Sequence, residues 1–222
     1  MISRKLIAPL AGAIVVPCAV GLAGAAAASS PTAASPAPAS GATGEPLVAT
    51  STLSRDVLLG KRLTVAGALV PAIAAETVAL QERGRYGWTV VARAEDAIAG
   101  SFALQFRPRR LGLHSMRLQV SIAGGVYNSP TTRVNVFHKV LASWYGPGGT
   151  TACGETLTAT TLGVANKTLP CGTLVTLRYR HRVLRVPVID RGPYVTGREY
   201  DLTWATKEAL GAGDLTVLWA NR

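Results

Sequence analysis

Acidic residues and cysteines are both scarce in this chain of 222 residues. Asp and Glu number 12 against 23 Lys and Arg, which gives a formal net charge of +11 and an isoelectric point near 10.2. Three cysteines are too few for a small disulfide-framework protein. A hydrophobic content of 48% excludes a disordered chain. The excess positive charge makes an anionic partner plausible, and nucleic acid has to be considered first.

The longest uncharged stretch lies at the N-terminus. Residues 1–5 (MISRK) are positively charged, and residues 6–28 carry no charge and are rich in Ala and Gly. This pattern is typical of a secretory signal peptide, which we predict over residues 1–28. A membrane span is one alternative, although Pro9 and Pro17 interrupt a weakly apolar run. A lipid anchor at Cys18 is another, although Pro17 stands where a small residue is expected.

Export would determine both the partners and the state of the cysteines. We expect a protein secreted to the cell wall, without a stable membrane anchor and without nucleic acid as a partner. Loss of Cys18 would leave Cys153 and Cys171, and an oxidising compartment favours pairing them. Zinc is the alternative, but it needs two more ligands and only His181 is near. We therefore expect no metal site, and no cofactor.

The segment after the leader cannot form a core. Residues 29–46 consist of Ser, Thr, Ala, Gly and Pro apart from Glu45, a composition that predicts a disordered linker. Residues 47–139 then show about seven short, alternating or β-branched segments and no helical period. We predict an antiparallel β-sandwich of immunoglobulin-like type.

A basic cluster lies within this first module, at residues 107–110 (RPRR). It is either a solvated turn between strands or a contact for an anionic polymer such as wall glycan or teichoic acid. We find no catalytic constellation in this module.

Residues 140–222 carry the candidate chemistry. Their short strands and one small helix predict a compact β-barrel. Thr203 is a suitable N-cap for a helix from Trp204 to Leu210, and Gly211 is placed to end it. Five blocks occur in order: residues 142–146 (ASWYG), 153–155 (CGE), 168–173 (TLPCGT), 188–194 (VIDRGPY) and 198–203 (REYDLT).

This ordered set resembles the RlpA family of double-psi β-barrel proteins, described as septal lytic transglycosylases. The pair Cys153 and Cys171 resembles the secreted actinobacterial branch of that family. The fold expected overall is therefore all-β, with an N-terminal sandwich followed by a double-psi barrel with one short helix. The resemblance implies cleavage of peptidoglycan glycan strands, with anionic wall polymers as a further partner.

Glycan cleavage needs a carboxyl group that protonates the glycosidic oxygen. Three acidic residues lie inside the family blocks, and we predict them as catalytic: Asp190, Glu155 and Asp201. Each has an alternative role, since Asp190 could form a turn, Asp201 could support the helix N-terminus and Glu155 could be a plain loop carboxylate.

Four further residues are predicted to contact substrate. Tyr145 and Tyr194 adjoin loops and could stack on sugars, and Arg191 could bind an anionic group or pair with Asp201 or Glu199. Asn166 stands where the family commonly has His, and Asn cannot shuttle protons near neutral pH. The sequence therefore predicts an exported lytic transglycosylase, with a non-catalytic glycan-binding or expansin-like wall module as the alternative.

Overall fold

The computed structural model describes residues 47–50, 53–70, 75–97 and 100–222. The predicted signal peptide and linker lie outside this part of the chain. All described residues belong to one compact unit. None of the helices formed by the described residues has the length and apolar character needed to cross a membrane.

The described residues form fourteen strands and one α-helix. In chain order these are β1 (Leu47–Thr50), β2 (Asp56–Leu58), β3 (Leu63–Val70), β4 (Ala75–Gly84), β5 (Gly87–Ala97), β6 (Ser101–Phe106), β7 (Gly112–Ile122), β8 (Gly125–Asn128), β9 (Thr132–Tyr145), β10 (Val164–Ala165), β11 (Leu174–Tyr179), β12 (Arg182–Asp190), β13 (Tyr200–Thr203), α1 (Trp204–Leu210) and β14 (Thr216–Ala220).

The first module consists of two sheets around one core. Strands β1, β3 and β6 form a three-stranded sheet, and β5, β4, β7 and β9 are neighbours in the larger one. Strand β6 alternates strictly, with Phe102, Leu104 and Phe106 buried, because one face of a strand packs on the core while the other meets solvent. These side chains share a hydrophobic cluster with Leu118 and Val134 of the opposite sheet. One pairing, β2 with β9, is parallel, where the sequence predicted antiparallel strands.

Strand β9 runs without a break through the predicted boundary at residues 139 and 140. Its first part pairs with β7, and its second part pairs with β14 and β13. The two modules therefore share a strand while keeping separate cores. An ion pair between Arg178 and Asp56 (2.7 Å) also joins them, as does a hydrogen bond from Asn221 to Asn135 (2.9 Å).

The second module is a closed six-stranded barrel. The order β13–β10–β12–β11–β14–β9 closes because β13 also pairs with β9, and closure removes exposed sheet edges. Two of its pairings, β9 with β13 and β10 with β12, are parallel. Strand β10 has only two residues and was not predicted from sequence. The prediction of a barrel with one short helix is confirmed.

The helix has the bounds that its capping residues predict. The Oγ1 atom of Thr203 accepts a hydrogen bond from the backbone N–H of Thr206 (3.2 Å), which satisfies one free donor of the first turn. Gly211 adopts a left-handed conformation with φ 65°, and its N–H donates to the carbonyl of Glu208 (3.0 Å). A side chain at this φ would be strained, so glycine ends the helix here.

Candidate functional site

A row of four residues crosses the sheet of the barrel at one end of β10. Ala165 is in register with Asp190 of β12 on one side and with Asp201 of β13 on the other. Asp201 is in turn opposite Ser143 of β9. Because Tyr200 and Leu202 point into the barrel core, the alternation of strand side chains turns Asp201 to the outer face. The barrel topology therefore brings two predicted catalytic carboxylates to one end of a two-residue strand.

The carboxylate of Asp190 is held by backbone N–H groups. Its Oδ1 atom accepts hydrogen bonds from the N–H of Ala152 and of Arg191, each at 2.8 Å. Bonds from N–H groups to a carboxylate are among the stronger hydrogen bonds in proteins, so they fix its orientation. Within the described part of the chain, Oδ2 has no hydrogen-bond donor, so this oxygen is the one left for a ligand.

A disulfide fastens the loop that supplies one of these donors. Cys153 and Cys171 form a disulfide bond, with Cα atoms 5.8 Å apart. This confirms the predicted pair, and cysteines bonded to each other are not available as zinc ligands. The N–H of Cys153 also donates to the carbonyl of Ile189 (3.3 Å). The loop that contains Ala152 is thus tied to the end of β12, where Asp190 lies.

The second carboxylate has side-chain partners. The hydroxyl of Ser143 donates to Oδ1 of Asp201, and the guanidinium of Arg198 donates to the Oγ of Ser143 (3.1 Å). Sequence reasoning gave no role to Ser143 or Arg198. Both lie inside the family blocks, and that position was the one signal that could have identified them.

The hydroxyl of Tyr145 is buried, and it lies within electrostatic range of both aspartates. No hydrogen-bond partner for this hydroxyl is present in the described part of the chain. Burial raises the pKa of the Tyr145 phenol well above its ordinary value of 10.0, and the charges of Asp190 and Asp201 raise it further. The phenol therefore stays protonated at neutral pH and can act as a hydrogen-bond donor.

Glu155 lies on the same loop as Ala152 but points to solvent. Its backbone closes a tight turn, because Thr151 N–H donates to its carbonyl (2.8 Å) and its own N–H donates to the Oγ1 of Thr151 (3.1 Å). Among the described residues, none donates a hydrogen bond to its carboxylate. The structure thus brings Asp190 and Asp201 together more directly than Glu155.

Asn166 is 9% exposed, and its side chain bonds to the backbone. Its Oδ1 accepts from the N–H groups of Thr168 (3.1 Å) and Leu169 (2.9 Å). Its Nδ2 donates to the carbonyl of Glu199 (3.1 Å). The side chain therefore holds the loop before Cys171, and its predicted contact with substrate stays a prediction.

The other two predicted substrate contacts differ in their surroundings. The guanidinium of Arg191 donates to the carbonyls of Leu169 (2.8 Å) and Asn166 (3.2 Å) and to the Sγ atom of Cys171 (3.1 Å). Its partners are therefore not Asp201 or Glu199. Tyr194 is 82% exposed and follows directly on the loop after Asp190. An exposed ring at this position presents a flat apolar face to a ligand.

Comparison with known proteins agrees with the barrel fold of the second module. Residues 138–218 match a double-psi β-barrel family model with the description "Lytic transglycolase". An endolytic peptidoglycan transglycosylase RlpA of Campylobacter jejuni is 37% identical over 101 residues, which cover 43% of this chain and 37% of that protein. A probable endolytic peptidoglycan transglycosylase RlpA of Synechocystis is 43% identical over 77 residues, which cover 32% of this chain and 24% of that protein.

A solved structure, the Streptomyces papain inhibitor, aligns at 24% identity and a TM-score of 0.33, over 39% of this chain and 94% of that one. The chain spans between 24% and 37% of the length of the curated relatives that it matches. Residues 138–218 form an RlpA-like double-psi β-barrel, which confirms the family resemblance seen in the sequence blocks.

Proposed function

We propose that this chain, whose residues 138–218 form an RlpA-like barrel, is a lytic transglycosylase that cleaves peptidoglycan glycan strands. The observation that carries the proposal is the position of Asp190. One of its carboxylate oxygens is held by two backbone N–H groups, while the other accepts no hydrogen bond from any residue that the structure describes. Asp201 lies in the same row of the sheet. A fixed carboxylate with one open oxygen suits proton transfer to or from a bound sugar.

The proposed reaction cleaves the MurNAc-β-1,4-GlcNAc bond. A carboxyl group gives its proton to the glycosidic oxygen, and the bond from that oxygen to the anomeric carbon breaks. The 6-hydroxyl of the muramyl sugar attacks the anomeric carbon, and its proton passes to the same or another carboxylate. A 1,6-anhydro sugar forms, no water is consumed, and the carboxyl group is restored.

We assign the proton transfers to Asp190, with Asp201 and Glu155 as supporting carboxylates. Asp201 is oriented by Ser143, so it can place a charge near the oxocarbenium-like transition state. Glu155 is on an exposed loop and can approach a bound glycan from the solvent side. Tyr194 would stack on a sugar ring, because carbohydrate C–H faces pack on exposed aromatic rings.

The export of the protein, its location and the type of its first module are part of the same proposal. We infer export through residues 1–28 and action in the cell wall, with glycan strands as the substrate. The immunoglobulin-like type of the first module is also a proposal, supported by its two packed sheets.

The test is digestion of purified peptidoglycan, with mass spectrometry of the soluble fragments. We expect fragments that end in 1,6-anhydro-muramic acid, at the mass of the hydrolysis product less one water. Asp190→Asn should remove them. Glu208→Gln is the matched control, because it removes one negative charge from an exposed position on α1 away from the row. Absence of anhydro products from both intact and peptide-stripped glycan would exclude the enzymatic proposal.

A second candidate is a non-catalytic module that binds glycan. The observation that favours it is Asn166, which replaces the common His and uses its side chain to hold the backbone. In that case the protein would cosediment with insoluble peptidoglycan and release no fragments. Tyr194→Ala would then reduce cosedimentation, while Asp190→Asn would have little effect on it.

A further inference from the structure

A cleft of about 820 Å³ opens in the first module, away from the barrel carboxylates. It is lined from both sheets of the sandwich, by residues of β6 and by Arg62, which directly precedes β3, on one side, and by residues of β4 and β5 on the other. The segment after β6 completes the lining. Its volume lies within the range of small-molecule sites. Phe106, which is 8% exposed, contributes apolar surface to it.

Four arginines line this cleft: Arg62, Arg107, Arg109 and Arg110. One carboxylate, that of Glu82, lies among the same lining residues. Glu82 already has two partners, since its Oε1 atom is 2.5 Å from Nη2 of Arg110 and 2.7 Å from Nδ1 of His114. Its charge therefore does not offset the remaining arginines.

Arg62, Arg107 and Arg109 have no ion-pair partner in the part of the chain that the structure describes. Guanidinium groups stay charged at all physiological pH values. Three of them around one concavity raise the local positive potential, and a concave low-dielectric wall focuses that potential. The positive potential in the cleft therefore favours binding of an anion.

We propose that this arginine cleft binds a linear polyanion that carries phosphodiester groups. The planar guanidinium matches phosphate oxygens in a bidentate fork. The three unpaired arginines carry a charge of +3, which exceeds the charge of roughly −1.5 to −2 on a single phosphate group. A ligand with repeated phosphates therefore neutralises the positive charge of the cleft more fully than one small anion does. The apolar surface of Phe106 then contacts the carbon chain between phosphates. This site is independent of the proposed glycan cleavage.

The experiment measures binding of purified poly(glycerol phosphate) by isothermal titration calorimetry with the whole protein. Arg62→Gln, Arg107→Gln and Arg109→Gln combined should raise the Kd at least about tenfold, because three charge-assisted contacts are lost. The matched control combines Arg85→Gln, Arg93→Gln and Arg133→Gln, which removes the same charge from exposed positions of the same module outside the cleft. We expect the control to raise the Kd less than about threefold, through long-range attraction alone.

Three outcomes would overturn the proposal. The first is an absence of binding by the unchanged protein. The second is an equal loss in the two triple variants, which would mean attraction by net charge. The third is equal or tighter binding of poly-glutamate, which would assign the cleft to carboxylate polymers. Each of the three single Arg→Gln variants should also raise the Kd. The single variants therefore provide the test if the triple variant fails to fold.

Discussion

Asp190 and Asp201 are in register with the same residue, Ala165, from opposite sides of strand β10. Neighbouring strands lie about 4.8 Å apart, so the two aspartates are about 10 Å apart between Cα atoms. The charges of both aspartates raise the pKa of the Tyr145 phenol, so Tyr145 lies within electrostatic range of each of them.

Asp190→Asn should lower the rate of glycan cleavage by about 10²- to 10⁴-fold, the usual contribution of a general acid or base. The amide keeps the shape of the side chain but cannot exchange a proton. The rate is measured as release of anhydro-terminated fragments. Asp201→Asn should have a smaller effect. A fully active Asp190→Asn variant would assign proton transfer to another carboxylate, with Glu155 as the next candidate.

Tyr145→Phe should increase the free energy of unfolding by about 1 kcal/mol, because it removes a buried hydroxyl that has no partner within the described residues. Urea denaturation measures the change. Tyr200→Phe is the matched comparison, since the Tyr200 hydroxyl donates to the carbonyl of Arg222 (2.9 Å) and its loss should cost about 1 kcal/mol. A destabilising Tyr145→Phe would reveal a partner for that hydroxyl. A loss of cleavage without loss of stability would give it a role in the reaction.

Replacing both Cys153 and Cys171 with Ser should lower the free energy of unfolding by about 3 kcal/mol, the value expected for a crosslink across 18 residues. Cleavage activity should fall as well, because the Ala152 N–H that orients Asp190 lies next to the crosslink. Reduction of the unchanged protein should reproduce both effects. A loss of stability with unchanged activity would show that the loop keeps its position without the disulfide.

The stability of the protein should decline between about pH 10 and about pH 12. Burial, assisted by the charge of Glu199 and opposed by that of Arg222, raises the pKa of Tyr200 from 10.0 to about 12. Above pH 10 the unfolded chain loses this proton more readily than the folded protein does, so unfolding becomes more favourable as pH rises to the folded value. Below pH 10 this contribution is fully present.

Absorbance of tyrosinate and circular dichroism, followed together, test this alkaline transition. Tyr200→Phe should make stability less dependent on pH in that window. An unchanged pH profile in the Tyr200→Phe variant would assign the transition to other groups.

Gly163→Ala should destabilise the protein by about 1–3 kcal/mol through overpacking. A Cβ atom at this position would lie 2.5 Å from Cδ1 and 2.6 Å from Cγ1 of Ile189. Because Ile189 directly precedes Asp190, its displacement should also reduce activity. Gly124→Ala is the control, since a Cβ there meets no atom within 4 Å. Thermal unfolding of both variants gives the comparison, and equal midpoints would show that Ile189 can move at little cost.

The sequence alone determined those features that depend on short-range signals. The helix from Trp204 to Leu210 follows from a Thr N-cap and a Gly after its last turn. The alternation in β6 follows from one buried and one exposed face. The disulfide follows from two cysteines in a chain with an export signal pattern, and the family resemblance follows from five sequence blocks that occur in order within residues 142–203.

Only the tertiary structure decided what brings the site together. Ala165 is in register with both Asp190 and Asp201, but its strand has only two residues and is too short to show a sequence period. The parallel pairings of β10 with β12 and of β9 with β13 are not encoded in any local sequence pattern either. The same holds for Tyr145, which was predicted to stack on a sugar and whose hydroxyl is buried. The bonds from Asn166 to the carbonyl of Glu199 and from Arg191 to the carbonyls of Asn166 and Leu169 join groups that are far apart in the chain. Contacts between residues far apart in the chain depend on how the strands pair, and pairing is a property of the whole fold.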